Sequence, residues 1–150
     1  MKIKVLVPVI ALLALVACGG GGSGDDGTGS GGGSGATTTT KPVEQVDLTD
    51  VDWIDKTGED AVTVQARDNT FLPAYIVVKA GTPITFDNTG RNDHNVLPSI
   101  PDQFEPIDVE DLKPGDHATI TFDEPGDYPY YCSLHGTPTR GMIGAVRVVA

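Results

Sequence analysis

From about residue 43 onward the sequence predicts an all-β fold, a sandwich or barrel of short strands, and three observations carry that expectation. Runs rich in β-branched residues recur at short spacing, Gly and Pro punctuate them, and no window sustains a helical period. Ala61-Val62-Thr63-Val64-Gln65-Ala66 alternates as a half-buried strand does. Residues 74–78 form the next run and pass through Lys79-Ala80-Gly81-Thr82, a turn, into a run at 83–87. Further runs follow at 118–122, 128–132 and 143–149. Residues 48–56 and 103–112 are each expected to hold a short helical turn. Trp53, Phe71, Phe86 and Phe122, with the Val and Ile positions, are the candidate core of one sandwich. Residues 43–60 precede the first clear strand, and they either add an edge strand or cover one.

The residues before this domain read as an address and a tether. Lys2 and Lys4 lead an apolar run at 5–16. A basic head on about a dozen apolar residues is a secretory signal, too short for a permanent span. Leu15-Val16-Ala17-Cys18 resembles the bacterial lipobox. That resemblance implies a signal peptide over 1–17 and Cys18 as the lipidated first residue of the mature chain, held to the extracytoplasmic face of a membrane. Residues 18–42 are mostly Gly, Ser and Thr, closing on Lys41-Pro42. Such a segment buries too little apolar surface to offset its ordering entropy, so a flexible tether with a reach on the order of 25 Å is expected. With Cys18 lipidated, Cys132 is the one remaining thiol and no intramolecular disulfide can form.

Charge excludes other classes. The chain carries 21 acids against 10 bases, a formal net charge of −11, and no basic cluster with which to grip nucleic acid. Acidic stretches at 44–60 and 102–116 either steer a basic partner or simply keep an exported domain soluble.

The chemistry is concentrated near the C-terminus, in Tyr131-Cys132-Ser133-Leu134-His135 and, after Gly136-Thr137-Pro138-Thr139-Arg140-Gly141, Met142. A Cys and a His three apart between two strands can face one atom, and Met142 at the start of the next strand can close on it. His94, in the connection leaving an earlier strand, supplies a fourth donor. One thiolate, two imidazoles and one thioether make the ligand set of a blue copper centre, two His and a Cys in a plane with a weak axial Met. Soft sulfur donors favour Cu(I) and imidazole accepts both oxidation states, so the metal changes state with little rearrangement. Zinc takes the same ligands. His117, among acids before a strand, reads as a solvated turn residue.

These residues resemble the cupredoxin family, in particular its plastocyanin, pseudoazurin and amicyanin group. The resemblance covers residues 61–150. It is carried by Lys79-Ala80-Gly81-Thr82-Pro83-Ile84-Thr85-Phe86, by His94-Asn95-Val96, by residues 122–126 with Tyr128 and Tyr130, and by residues 132–144. It implies a Greek-key β-sandwich with one copper ion at one end, bound by His94, Cys132, His135 and Met142. It also implies that Asn95 bridges to Ser133 and locks the two ligand segments together. His135 would be the partly exposed ligand through which electrons pass, ringed by Leu134, Pro138, Leu97 and Pro98. One departure stands out: six residues separate His135 from Met142, where plastocyanin-like loops usually have four.

The resulting expectation is a membrane-tethered, monomeric one-electron carrier that serves redox partner proteins and catalyses nothing. A copper-delivery protein of the cell envelope is the alternative, although the chain has no Met-rich or His-rich tract. A multi-centre copper enzyme needs more than the three His present, and a metal-free interaction module would not keep the full ligand set.

Overall fold

The computed structural model describes residues 44–150, and the signal peptide, Cys18 and the tether expected over 1–42 lie outside the described residues. Nine strands form two mixed sheets. They are β1 (Ile54–Asp55), β2 (Val62–Arg67), β3 (Thr70–Leu72), β4 (Tyr75–Lys79), β5 (Pro83–Asn88), β6 (Leu97–Pro98), β7 (His117–Thr121), β8 (Gly126–Thr137) and β9 (Arg140–Val149). One sheet has the order β1-β4-β9-β8-β6 and the other β3-β2-β5-β7. The chain changes sheet repeatedly, as in a Greek-key sandwich, so the two sheets share one core.

Strand periodicity decides which residues enter that core. Val62, Val64 and Ala66 point inward from β2, Ile84, Phe86 and Asn88 from β5, and Ile76 and Val78 from β4. On β8 the inward row contains Tyr130 and Cys132, and on β9 it contains Met142, Val146 and Val148. The same alternation that builds the core therefore carries Cys132 and Met142 into it. Phe71, Phe86 and Tyr130 meet edge to face at 5.0–6.1 Å, and all three are fully buried. Each such side chain contributes about 1.5–3 kcal/mol by burial, with about 0.5–1.5 kcal/mol more per aromatic pair.

The six strand runs expected from the sequence are all present, with shifted ends. Residues 103–112 contain a 3₁₀ turn at Val109–Asp111, as expected. Residues 48–56 do not form the expected helical turn. The open edge of β4 offers unpaired backbone groups, so Ile54 and Asp55 pair with Ile76 and Val77, and Lys56 N–H donates to the Val77 carbonyl. Of the two roles considered for this extension, it takes the first, and its upstream part covers a sheet face rather than an edge. It adds β1 to the sheet edge, and upstream it covers the outer face, where Val46 is buried. There Trp53 lies edge-on to Tyr75 and under the Arg147 guanidinium, 4.2 Å from its ring centroid. Among the described residues no helix is long and apolar enough to cross a membrane.

Arg147 also holds Asp127 through two hydrogen bonds, Nε to Oδ1 at 2.7 Å and Nη2 to Oδ2 at 2.8 Å. The hydrogen bond from Arg147 places the Asp127 carboxyl below its ordinary range, outweighing the opposing effect of burial. A carboxyl depressed in the folded state stabilises above its unfolded pKa and loses that contribution as pH falls through the folded one. Both side chains are more than a third exposed, so the screened contribution is about 1 kcal/mol at most.

Two outcomes follow. Phe71→Ala should cost about 3–5 kcal/mol, read as a lower urea midpoint at unchanged slope; a loss below about 1 kcal/mol would contradict the aromatic packing. Asp127→Asn should reduce stability modestly at pH 7, and the gap from the parent should vanish as pH drops from about 5 toward the acid limit. A gap that persists at low pH would show that the ion pair is not its source.

Candidate metal centre

Two segments that are distant in sequence meet at one end of the sandwich. The first is the connection after β5. Asn88 ends the inward row of β5 and is buried, so its amide must find partners. Its Nδ2 donates to the carbonyls of Asn92 and Leu112, both at 2.8 Å, and its Oδ1 accepts from Gly90 N–H at 3.0 Å. The His94 N–H then donates to the Leu112 carbonyl at 3.2 Å. This network folds residues 89–94 back over the core and buries His94 completely. Asn88 was not singled out in the sequence. Its one signal there is a polar residue at an inward strand position just before Thr-Gly.

The second segment is the β8–β9 hairpin. Sequence reasoning expected a loop between Cys132 and Met142, whereas β8 runs on to Thr137 and β9 begins at Arg140. Gly136 pairs with Gly141 and Thr137 with Arg140, leaving Pro138 and Thr139 at the tip. The additional residues thus extend a paired hairpin. The pairing needs glycine at both positions. A Cβ on Gly136 would lie 2.7 Å from the Met142 nitrogen, and Gly141 has φ +85° with the His135 carbonyl oxygen 2.6 Å from where its Cβ would be. Register breaks between Tyr131 and Gly136, and Cys132 to His135 occupy that break. A bulge of this kind re-aims side chains, which is how Cys132 and His135 come to face one point.

Cys132 Sγ lies 3.5 Å from His135 Nδ1 and 3.8 Å from His94 Nδ1, and the donor atoms of the three residues all lie within 4.8 Å of one another. Donors on a trigonal plane around one ion, at bonds of about 2.1 Å, stand about 3.6 Å apart. The residues present therefore fit a metal ion of that coordination. Cys132 and Met142 share one buried cluster, while His135 is half-buried. The His94 pKa is lowered, first by burial and then by His135, with Asp93 and Asp68 opposing, so its ring is neutral and offers a lone pair. His94 Nε2 has no hydrogen-bond partner among the described residues.

Asn95 and Ser133 stand between the two segments. Asn95 Nδ2 donates to Ser133 Oγ at 2.9 Å, and the Ser133 N–H donates to Asn95 Oδ1 at 2.9 Å. His117 lies apart from this cluster. It is exposed and opens β7 opposite Asp87, inside a strand rather than in the expected turn.

Sandwich and donor cluster together define the class of a β-fold metalloprotein with a Cys and two His at one end. Comparison with known proteins makes the assignment. The family model described as a cupredoxin-like domain matches residues 39–145. Plastocyanin of Solanum crispum is 36% identical over 87 residues, covering 52% of this chain and 86% of that protein. The chloroplastic plastocyanin of Silene latifolia subsp. alba is 33% identical over 87 residues, and the match spans 52% of each chain. Among solved structures, a reduced single-substitution variant of amicyanin superposes with a TM-score of 0.52 at 26% identity, covering 61% of this chain and 84% of that one. The chain belongs to the cupredoxin-like domain family. Its cofactor is one copper ion.

Replacing Asn95 by Ala removes both bonds to Ser133 while sparing every donor atom. The variant should bind copper with retained colour, release it to a chelator about 10–100-fold faster, and show a shifted potential. Release at the parental rate with the parental potential would contradict a bridging role.

Proposed function

We propose that this protein is a one-electron carrier in which His94, Cys132, His135 and Met142 hold the copper. The observation that carries the reading is an asymmetry of exposure: His94, Cys132 and Met142 are buried, and His135 alone of the four reaches the surface. When bound, copper supplies a Cu(II)/Cu(I) couple. The polypeptide does the rest. Cys132 presents its sulfur from a strand, Asn95 and Ser133 hold the two segments in register, and buried walls exclude water from three of the donors. A site whose donors are fixed before the electron arrives needs little reorganisation.

Around His135 the surface suits brief docking. Leu134, next to His135 in the chain, is 51% exposed and Pro138 at the hairpin tip is half-buried, whereas Leu97 and Pro98, expected in the same ring, pair with Tyr131 and Tyr130 further along β8. An apolar face next to the one accessible donor lets a redox partner approach without strong polar contacts to break afterwards. The half-buried ring of His135 is then the shortest way out for the electron. In this reading the domain passes electrons between partners and catalyses no reaction of its own.

The Lys2-Lys4 head, the apolar run and Leu15-Val16-Ala17-Cys18 support export and attachment of the chain through lipid on Cys18, with residues 18–42 as tether and 43–150 as the copper domain. The carrier then works on the extracytoplasmic side of a membrane, as a monomer.

The test is to add Cu(II) to the full chain and follow its visible spectrum through a redox titration. An intense thiolate-to-copper band and a reversible one-electron wave are expected, and Cys132→Ser should abolish the band. Irreversible reduction with release of copper would instead indicate a delivery protein of the cell envelope.

A further inference from the structure

A cleft of about 630 Å³ opens between β7 and the connection that follows β6. It lies toward the Thr121 end of β7, which pairs with Pro83, whereas the opposite end pairs with Asp87, beside the network that holds His94. Thr119, Ile120 and Thr121 all line it. Consecutive residues of a strand point to opposite faces, so three in a row can border one cleft only along the strand's edge. That edge is open, because β7 is the last strand of its sheet. It carries no Pro, Lys or bulge of the kind that blunts exposed edges.

The lining has a consistent chemistry. Phe104, Phe122 and Tyr128 form its apolar part, with Phe104 edge-on to Phe122 at 5.4 Å and Tyr128 tilted against Phe122 at 4.3 Å. Glu105, Asp123 and Glu124 are exposed around it, and no Lys or Arg lines it. Gln103 also lines it, with its Nε2 donating to the Asp127 carbonyl at 2.8 Å.

We propose that this cleft docks an extended segment of a partner protein that bears Lys or Arg among apolar residues, added as a further strand to the β7 edge. Main-chain bonds to β7 give such a segment its register. Alternate apolar side chains rest on the aromatic floor, and cationic ones meet Glu105, Asp123 and Glu124 and the ring faces. Docking here leaves the His135 end free, so the segment would hold a partner in place while that end exchanges electrons. The docking surface itself does not rest on the copper reading, whereas the use given to it here does.

The test uses the full chain, ¹⁵N-labelled, and a capped octapeptide of alternating Lys and Val, with the Glu and Val peptide as control. Saturable amide shifts are expected at residues 103–105, 107, 117–124 and 128. The triple variant Glu105→Lys, Asp123→Lys, Glu124→Lys should bind at least tenfold more weakly while its amides over residues 130–146 keep parental shifts, and the Glu and Val peptide should not bind. Absence of saturation by about 1 mM peptide, shifts centred elsewhere, equal binding of the acidic peptide, or undiminished binding by the variant would overturn the proposal.

Discussion

Two hydrogen bonds between Asn95 and Ser133 are the constraint that ties together the end of the sandwich where His94, Cys132 and His135 meet. They join segments 38 residues apart in sequence, and the donors they align come from both sides: His94 before Asn95, Cys132 before Ser133, and His135 two residues further on. Without them the Cys132 Sγ to His94 Nδ1 contact would be the one side-chain link left between the connection after β5 and the bulge in β8 among the described residues. The bonds have weight because Asn95 is buried, so its amide cannot turn to water if they break. Behind this clamp stands Asn88, which satisfies the loop's own carbonyls, and behind Asn88 the inward row of β5. Core, loop and donor positions form one chain of dependence.

The β8–β9 hairpin shows how a change in spacing is absorbed. Six residues between His135 and Met142 could have produced a slack loop, yet they lengthen the pairing by two registered pairs, Gly136 with Gly141 and Thr137 with Arg140. Glycine at both facing positions lets the backbones approach, and β-branched Thr137 suits a strand. Met142 therefore enters from the third position of a strand, and its place is set by the ladder.

Much of this was legible in the sequence, for physical reasons. Alternation is a local property, so the runs at 61–66, 83–87 and 118–122 showed their inward faces without any knowledge of partners. The donor set stood out because Cys and Met are scarce in the chain and unusual together beside a His. What was missed depends on contacts at long range. β3 and β6 have three and two residues, too few for a period, and exist through pairing with β2 and β8. Residues 48–56 read as a helical turn because nothing local reveals the open edge of β4. Asn88 acts through the Leu112 carbonyl, 24 residues away, and the hairpin at 136–141 is visible only when Gly136 and Gly141 are placed opposite one another.

Central to the account is that the fold positions the donors before metal arrives. A direct comparison is the solution or crystal structure of the full chain with and without Cu(I). The account predicts that the Cys132 Sγ to His94 Nδ1 and His135 Nδ1 separations stay near 3.8 and 3.5 Å in both, and that the Asn95–Ser133 bonds persist. Dispersal of these donors on metal removal, with loss of the Asn95–Ser133 bonds, would contradict it.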